Sequence, residues 1–288
     1  MKWGKDSIRG LSFLGACADA GAPNVLLGAP MDYSASFRPG SRFGPEAIRH
    51  ASCNLEEYSL QLEKSLEEVR FFDAGDLLLP FGNVTGSLAL IEKAVEQILA
   101  GDQRPFVLGG DHLVSLPCLR ACARRFPGLK LVHIDAHADL RDQYMGEHLS
   151  HATVVRQALD TLNLGGVWQF AVRSATREEH DYARKHTKFY PFELVRPLRQ
   201  AAADLTGPVY VTVDIDAVDP AFAPGTGTPE SGGITPAELL EGLAILGECQ
   251  IVGFDLVEVA PAYDGAGITA ALAAKIVREA LIIFGRQP

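Results

Sequence analysis

Residues 131–139 read LVHIDAHAD, an apolar run that passes directly into three side chains able to bind a metal ion. The run is short and nearly continuous, which is typical of a strand covered on both faces of a parallel sheet. Side chains two residues apart in an extended chain point the same way, so Asp135, His137 and Asp139 can face one cavity. The stretch therefore predicts a buried strand with a polar site at its carboxyl end.

Other apolar runs in the chain end in the same way. The run 106–108 leads to a histidine at 112, the run 209–213 leads to two aspartates, and the run 251–254 leads to Glu258. Four carboxylates close together in a buried place would each cost several kcal/mol if unpaired, so we expect compensating cations. The sequence predicts two divalent ions, with the ligands His112, Asp135, His137, Asp139, Asp214 and Asp216.

The rest of the chain alternates short apolar runs with amphipathic stretches of helical length, which is typical of an α/β fold. Strands are predicted at 24–28, 69–72, 105–109, 130–134, 168–172, 188–191, 209–213 and 251–255. Helices are predicted near 44–60, 84–100, 115–125, 152–162, 176–186, 194–203, 236–247 and 268–284, and Thr235 with Glu238 forms a capping box. We expect one domain over 1–288, a three-layer α-β-α fold with a mostly parallel sheet of about eight strands.

Composition excludes several classes of protein. The chain has 288 residues, of which 47% are hydrophobic and 22% charged, and no apolar run is long enough to span a membrane. Its net charge of −10 argues against a nucleic-acid surface. No leader-like segment is visible at the start, so we expect a cytoplasmic protein. The five irregularly spaced cysteines fit neither a disulfide framework nor a zinc site, and Cys118 and Cys122 are predicted to be small core residues.

Each polar residue after a strand also has an ordinary structural interpretation. A single Asp there is commonly a helix cap or turn residue, and a single His is commonly a core or surface residue. Three clusters at strand ends in one chain favour metal binding, because buried charge clusters must be paired or metal-bound. We interpret His133, in contrast, as a packed strand residue.

The same segments resemble the signatures of the ureohydrolase family, which includes arginases and agmatinases. The resemblance spans nearly the whole chain: GAPMD at 28–32, RPGSRFGP at 38–45, the three ligand segments, and VEVAPAYD at 257–264. The segments APGTGTPE at 223–230 and SHAT at 150–153 resemble agmatinases more than arginases. An arginase-like fold is what this resemblance implies.

Mixed carboxylate and imidazole ligands without cysteine suit manganese, so two Mn²⁺ ions are expected, with Ni²⁺, Co²⁺ or Fe²⁺ as alternatives. In the family's pattern, His112 and Asp139 would bind one ion, and His137 and Asp216 the other. Asp135 and Asp214 would bridge the two ions. A pair of ions lowers the pKa of a shared water, which provides the nucleophile that a guanidinium carbon needs.

The resemblance also implies catalytic roles for three residues. Glu258 would hold the planar guanidinium through charge-assisted hydrogen bonds. Asp139 would protonate the leaving nitrogen, and His151 would relay protons to solvent, with His148 as a weaker candidate for that relay. The implied reaction converts a guanidino compound to urea and an amine, foremost agmatine to putrescine, in a homotrimer or homohexamer.

The identity of the substrate remains open from the sequence. Glu147 or Asp142 would suit the ammonium tail of agmatine, whereas Arg141 and Arg173 would suit guanidinobutyrate or guanidinopropionate, and guanidine itself is a further alternative. A single-metal deacylase would leave carboxylates unpaired. A non-catalytic regulatory paralogue would be expected to lack ligand residues, and none is missing. The apolar C-terminal helix could cover the sheet or contact another subunit.

Overall fold

A computed structural model describes residues 7–8 and 10–285 of the chain. One sheet runs through this part of the molecule. Its strands are β1 (Ser7–Ile8), β2 (Asn24–Ala29), β5 (Phe71–Leu77), β6 (Arg104–Gly109), β7 (Lys130–Ile134), β8 (Gly166–Phe170), β9 (Lys188–Tyr190), β10 (Pro208–Asp214) and β11 (Gln250–Val257). A separate two-stranded ribbon consists of β3 (Tyr58–Ser59) and β4 (Lys64–Ser65).

The strand order in the large sheet is β1-β5-β2-β6-β11-β10-β7-β8-β9. All eight predicted strands are present and parallel to one another, and the two-residue β1 adds an antiparallel edge beside β5. The prediction of a mostly parallel sheet of about eight strands is confirmed. β1 was not predicted, because two residues carry no alternation pattern.

Helices cover both faces of the sheet. They are α1 (Gly44–Ser52), α2 (Val84–Ala100), α3 (Ser115–Arg125), α4 (Val154–Thr161), α5 (Arg177–His186), α6 (Val195–Ala201), α7 (Pro236–Leu246) and α8 (Ile268–Phe284). The buried side chains of α1, α6, α7 and α8 form one core, and those of α2 to α5 form the other. This is the predicted three-layer arrangement.

Two predictions about helices have definite outcomes. The first helix was predicted to run to 60, which is wrong: it ends at Ser52, and hydrogen-bonded turns at residues 53–55 lead into β3. The amphipathic pattern continues past the helix because Leu55 still packs on the core from a non-helical backbone. The C-terminal helix α8 covers the sheet, since Leu281, Ile282 and Phe284 are fully buried.

Side chains alternate between the two cores along the strands. In β10, Val209, Val211 and Val213 join the core beneath α7 and α8, whereas Tyr210 joins the core beneath α3. The near-continuous apolar sequence of the central strands follows from this coverage on both faces. Cys118 and Cys122 are fully buried free thiols in the second core, as predicted. None of the described helices has the length and apolar character that crossing a bilayer requires.

Candidate metal centre

Four neighbouring strands carry the predicted site. They are β6, β11, β10 and β7, and because they are parallel, their carboxyl ends meet at one edge of the sheet. His112 follows β6, Glu258 follows β11, Asp214 ends β10 and Asp135 follows β7. A crevice at this edge is where open α/β sheets bind ligands. All six predicted ligands are therefore brought together by the order of the strands.

One set of ligand atoms surrounds the imidazole of His112. Its Nδ1 lies 2.9 Å from Oδ2 of Asp135 and 3.3 Å from Oδ2 of both Asp139 and Asp214. All four side chains are buried. Donor atoms held at about 2.1 Å by one six-coordinate ion lie about 3 Å apart when adjacent, so this spacing fits a shared cation.

Hydrogen bonds on the far side of His112 place its ring proton. Oγ1 of Thr212 donates its only proton to Oδ1 of Asp255 at 2.5 Å, and the hydroxyl of Tyr210 donates to the other oxygen at 2.7 Å. Thr212 therefore accepts from Nε2–H of His112 at 3.0 Å. In the neutral ring, Nδ1 is then a bare acceptor that faces three carboxylates. This arrangement requires positive charge between them.

Either a metal ion or a proton can supply that charge. Burial disfavours a charged imidazole, but Asp135 and Asp214 outweigh it and raise the pKa of His112 well above its usual value. Nδ1 of His112 and Oδ2 of Asp135 are buried and have no hydrogen bond within residues 10–285. Buried oxygen and nitrogen atoms that have no hydrogen bond, with no sulfur among them, are suitable ligand atoms for a divalent cation such as Mn²⁺.

A second set of ligand atoms lies beside the first. Nδ1 of His137 is 3.0 Å from Oδ2 of Asp216 and 3.5 Å from Oδ1 of Asp135. Burial lowers the pKa of His137, but the charges of Asp216 and Asp135 outweigh it and raise that pKa to about 12. Asp135 thus presents one oxygen to each set, as expected of a carboxylate between two cations. That these residues bind ions remains a prediction.

Backbone amides hold the carboxylates in place. The N–H of His137 donates to Oδ1 of Asp135 at 2.6 Å, and the N–H of Asp216 donates to Oδ1 of Asp214 at 2.8 Å. The backbone φ angle is 53° at Asp139 and 66° at Glu258, in a region that residues other than glycine seldom adopt. Such strain persists only where the surrounding structure enforces it, and it is concentrated at functional sites.

His137 and Asp139 open onto a cavity of about 290 Å³. Its wall also includes His151, whose Nε2 lies 3.2 Å from Oγ of Ser36. Burial lowers the pKa of His151 to about 4, so the ring is neutral near pH 7. His148 is exposed, bonds to the carbonyl of Asp142 through Nδ1 and does not line this cavity.

Glu258 lies near the ligands but does not line that cavity. Its Oε1 accepts the backbone N–H of His112 at 2.9 Å, and its own N–H donates to the carbonyl of Gly110 at 2.8 Å. Burial and the charge of Asp111 raise the pKa of Glu258 to about 8. Glu258 therefore lies beside the backbone of His112 and not on the cavity wall that His137 and Asp139 line.

Arg141 and Arg173, the two arginines that could bind a carboxylate on the substrate, differ in whether other groups of the protein already bind them. The guanidinium of Arg173 donates to the backbone carbonyls of Glu230, Asp216 and Ala217 at 2.7, 2.7 and 3.0 Å, so the structure already uses it. Arg141 lines the cavity, with its Nε 3.7 Å from a carboxylate oxygen of Glu179. Arg173 is therefore not free to pair with a substrate carboxylate.

Acidic residues have a more open position. Glu147 is exposed and lines an adjoining cavity of about 630 Å³ together with Tyr33, Asn83 and Tyr144. Tyr144 also lines the cavity that contains His137, so the two cavities share a wall. The other acidic candidate, Asp142, is exposed but lines neither cavity.

His133 belongs to the site, although the sequence interpretation left it as a packing residue. Its Nε2 lies 2.9 Å from Oδ2 of Asp135. The rule that residues two apart point the same way would have placed it there, because His133 precedes Asp135 by two. Thr212 stands in the same relation to Asp214, and it too contacts a predicted ligand.

Known proteins with similar sequences and structures were found. The sequence profile of the arginase family matches residues 22–283. An agmatinase from Halalkalibacterium halodurans is 51% identical over 262 residues, which cover 90% of this chain and 91% of that protein. A guanidinobutyrase from Pseudomonas aeruginosa is 36% identical, with 90% and 86% covered. The crystal structure of the agmatine ureohydrolase of Thermoplasma volcanium is 31% identical, with a TM-score of 0.86 and coverage of 96% and 95%.

Proposed function

Because the chain belongs to the arginase family, we propose that it is an agmatinase that hydrolyses agmatine to putrescine and urea. The observation that carries the proposal is the pair of ligand sets sharing Asp135 at the edge of a cavity. The higher identity to an agmatinase than to a guanidinobutyrase supports agmatine as the substrate.

The proposed cofactors are two Mn²⁺ ions, and Ni²⁺, Co²⁺ or Fe²⁺ could occupy the same ligands. His112 and Asp139 would hold one ion and His137 and Asp216 the other, with Asp135 and Asp214 shared between them. When bound, a pair of divalent cations supplies a water of lowered pKa as nucleophile. The protein needs no nucleophile of its own.

Proton movements are assigned to two residues of the cavity wall. Asp139 lines the cavity beside the proposed ions, so its carboxyl is placed to pass a proton to the leaving amine. His151 is neutral near pH 7 and bonds to Ser36 through Nε2, so it can accept a proton at that atom and pass it outward.

Binding of the guanidinium is assigned to Glu258. Its Oε1 already accepts the N–H of His112, which leaves Oε2 for a substrate N–H. Gly227 lies against that oxygen, since a Cβ there would be 3.2 Å from Oε2. The absence of a side chain at Gly227 thus leaves access to the carboxylate.

The tail of the substrate would extend along the two adjoining cavities, one lined by Arg141 and the other by Glu147. With Arg173 held by backbone carbonyls, Arg141 is the one of these two arginines left for a guanidino acid, and Glu179 competes for it. Glu147 favours a positively charged tail. Agmatine, with its ammonium group, fits this charge distribution better than guanidinobutyrate, guanidinopropionate or guanidine.

We also propose that the chain is a single domain that acts in the cytoplasm as a homotrimer or homohexamer. One continuous sheet through residues 7–8 and 10–285 supports the single domain. The oligomer is supported by exposed apolar side chains such as Phe81 and Phe43, which are 94% and 57% exposed.

The test is urea release by Mn²⁺-loaded protein with agmatine, guanidinobutyrate, guanidinopropionate, arginine and guanidine. We expect the highest kcat/KM with agmatine. Asp214→Asn serves as the matched control, because it keeps the shape of a ligand and removes its charge, and it should release little urea. Preference for an acid would overturn the substrate, and no urea from any compound by protein holding two ions would overturn the activity.

A further inference from the structure

Asp135 has two histidine neighbours at one oxygen. Nδ1 of His112 and Nε2 of His133 both lie 2.9 Å from its Oδ2. The two rings stack with their centroids 5.2 Å apart, and both side chains are buried. By position alone, His133 could be a further metal ligand or a hydrogen-bond donor to Asp135.

Gln169 distinguishes these two roles. Its side-chain nitrogen lies 2.8 Å from the carbonyl oxygen of Ala138 and 3.2 Å from Nδ1 of His133. A carbonyl oxygen only accepts, so the NH₂ group of Gln169 must face both atoms. The hydroxyl of Thr187 lies 3.2 Å from the amide oxygen and shares its one proton between that oxygen and the carbonyl of Ala183 at 3.0 Å, which agrees with this orientation. Nδ1 of His133 is therefore an acceptor, and the proton of the neutral ring is on Nε2.

We infer that His133 faces Oδ2 of Asp135 with its Nε2–H group and not with a lone pair, so that it is not a metal ligand, and that Gln169 enforces this role. A metal ion binds a nitrogen through its lone pair, which Nε2 lacks when it carries the proton. Nε2 of His133 and Oδ2 of Asp135 are 2.9 Å apart, although the N–H is not aligned for a full hydrogen bond, and no group within the described part of the chain forms a hydrogen bond with either atom. The inference rests on the two-cation site proposed above.

His112, whose ring stacks on that of His133, carries its proton on the nitrogen that faces away from Asp135. Thr212 takes the Nε2 proton of His112, which leaves Nδ1 of His112 bare toward the carboxylates. Two adjacent histidines therefore contact the same carboxylate oxygen, one as an acceptor suited to a cation and the other as a donor. Their hydrogen-bond partners, Thr212 and Gln169, make this difference.

His133 is accordingly a positioning residue. It holds Oδ2 of Asp135 in the direction that serves both ligand sets, and donors that hold metal-binding carboxylates typically contribute 10–100-fold to metal affinity. Removing the donor should weaken metal binding without removing an ion. Removing a ligand would instead reduce the number of ions bound.

The experiment titrates the metal-free protein with Mn²⁺ and follows free Mn²⁺ by its EPR signal, which gives both the number of ions bound and their affinity. His133→Phe keeps an aromatic ring at this position and removes the N–H donor. His133→Gln keeps a donor, because the Gln amide nitrogen reaches about as far as Nε2 of His. The exposed His180 provides the matched control, His180→Phe.

We expect two ions in every protein, affinity 10–100-fold lower in His133→Phe, and affinity close to the unchanged protein in His133→Gln. Loss of one ion in both His133 variants would overturn the inference in favour of a ligand. Equal affinity in His133→Phe and the unchanged protein would overturn it by removing any role. If His133→Phe does not fold, His133→Gln decides alone. Failure of the unchanged protein to bind two ions would instead refute the proposed site, and the inference with it.

Discussion

Thr212 connects the buried Asp255 to His112, and replacing it with valine should destabilise both the fold and the metal site. Valine has nearly the shape of threonine but lacks the hydroxyl. In Thr212→Val, Nε2–H of His112 loses its acceptor at 3.0 Å and Oδ1 of Asp255 loses its donor at 2.5 Å. Both groups are buried, so water cannot replace the missing partner.

The expected magnitude follows from the two groups left unpaired. A buried neutral donor without a partner costs about 1–3 kcal/mol, and a buried carboxylate oxygen costs more. Ser115 lies 3.2 Å from the Thr212 hydroxyl and can recover part of this by turning toward Asp255. We expect a loss of about 3–5 kcal/mol in the free energy of unfolding. Mn²⁺ affinity should fall 10–100-fold, because Nδ1 of His112 is no longer held bare.

Denaturant unfolding of the metal-free protein and Mn²⁺ titration measure the two effects separately. Thr212→Ser is the matched control, since it keeps the hydroxyl and removes one methyl group, at a cost of about 1 kcal/mol. If Thr212→Val were as stable as Thr212→Ser and bound Mn²⁺ equally well, the assignment of the His112 ring proton would be wrong.

Four further outcomes are expected. His151→Asn should bind two Mn²⁺ ions yet lose about 10²–10⁴-fold in kcat, because the proton relay is missing, and full urea release by this variant would remove His151 from the mechanism. In the metal-free protein, the buried His151 has a pKa of about 4 against its ordinary 6.5, so the unfolded chain binds that proton more readily. Stability should fall by up to about 3 kcal/mol as the pH is lowered from 6.5 to 4, and unfolding curves of His151→Asn over that range should lack this part of the loss. Arg49→Met should lower the free energy of unfolding by about 3–5 kcal/mol in denaturant, because it leaves the buried Asp73 without its two bonds at 2.8 and 2.9 Å; a loss below 1 kcal/mol would contradict this. Gly110→Ala should give insoluble or unfolded protein in an expression test, since the added Cβ would lie 1.7 Å from the carbonyl oxygen of Met31, and a normal circular dichroism spectrum would contradict the reasoning.

The strands and most helices could be predicted because burial on both faces leaves a strong apolar signal. The run 131–134 and its three counterparts at the site were all correctly placed. The capping box at Thr235 and Glu238 is present, with the Glu238 N–H donating to Oγ1 of the threonine at 3.2 Å. The end of α1 at Ser52 was missed, because local pattern does not reveal that the chain turns there.

The candidate ligands could be proposed from sequence because each directly follows an apolar run, and the period of two in extended chain assigns their direction. The same rule applied two residues earlier would have added His133 and Thr212 to the site. Both residues, however, lie inside the apolar runs, where a histidine or threonine commonly has a packing role.

The sequence by itself determined the α/β class, the types of the candidate ligand residues and their positions at strand ends, because these depend on local pattern and on the cost of burying charge. Only the tertiary structure decided that β10 and β11 lie between β6 and β7. This strand order brings Thr212 within hydrogen-bond distance of His112, a hundred positions away in the chain. The tertiary structure also decided that Arg173 is held by backbone carbonyls and that Gln169 orients His133. Contacts of this kind depend on which distant elements become neighbours, and a local pattern carries no information about that.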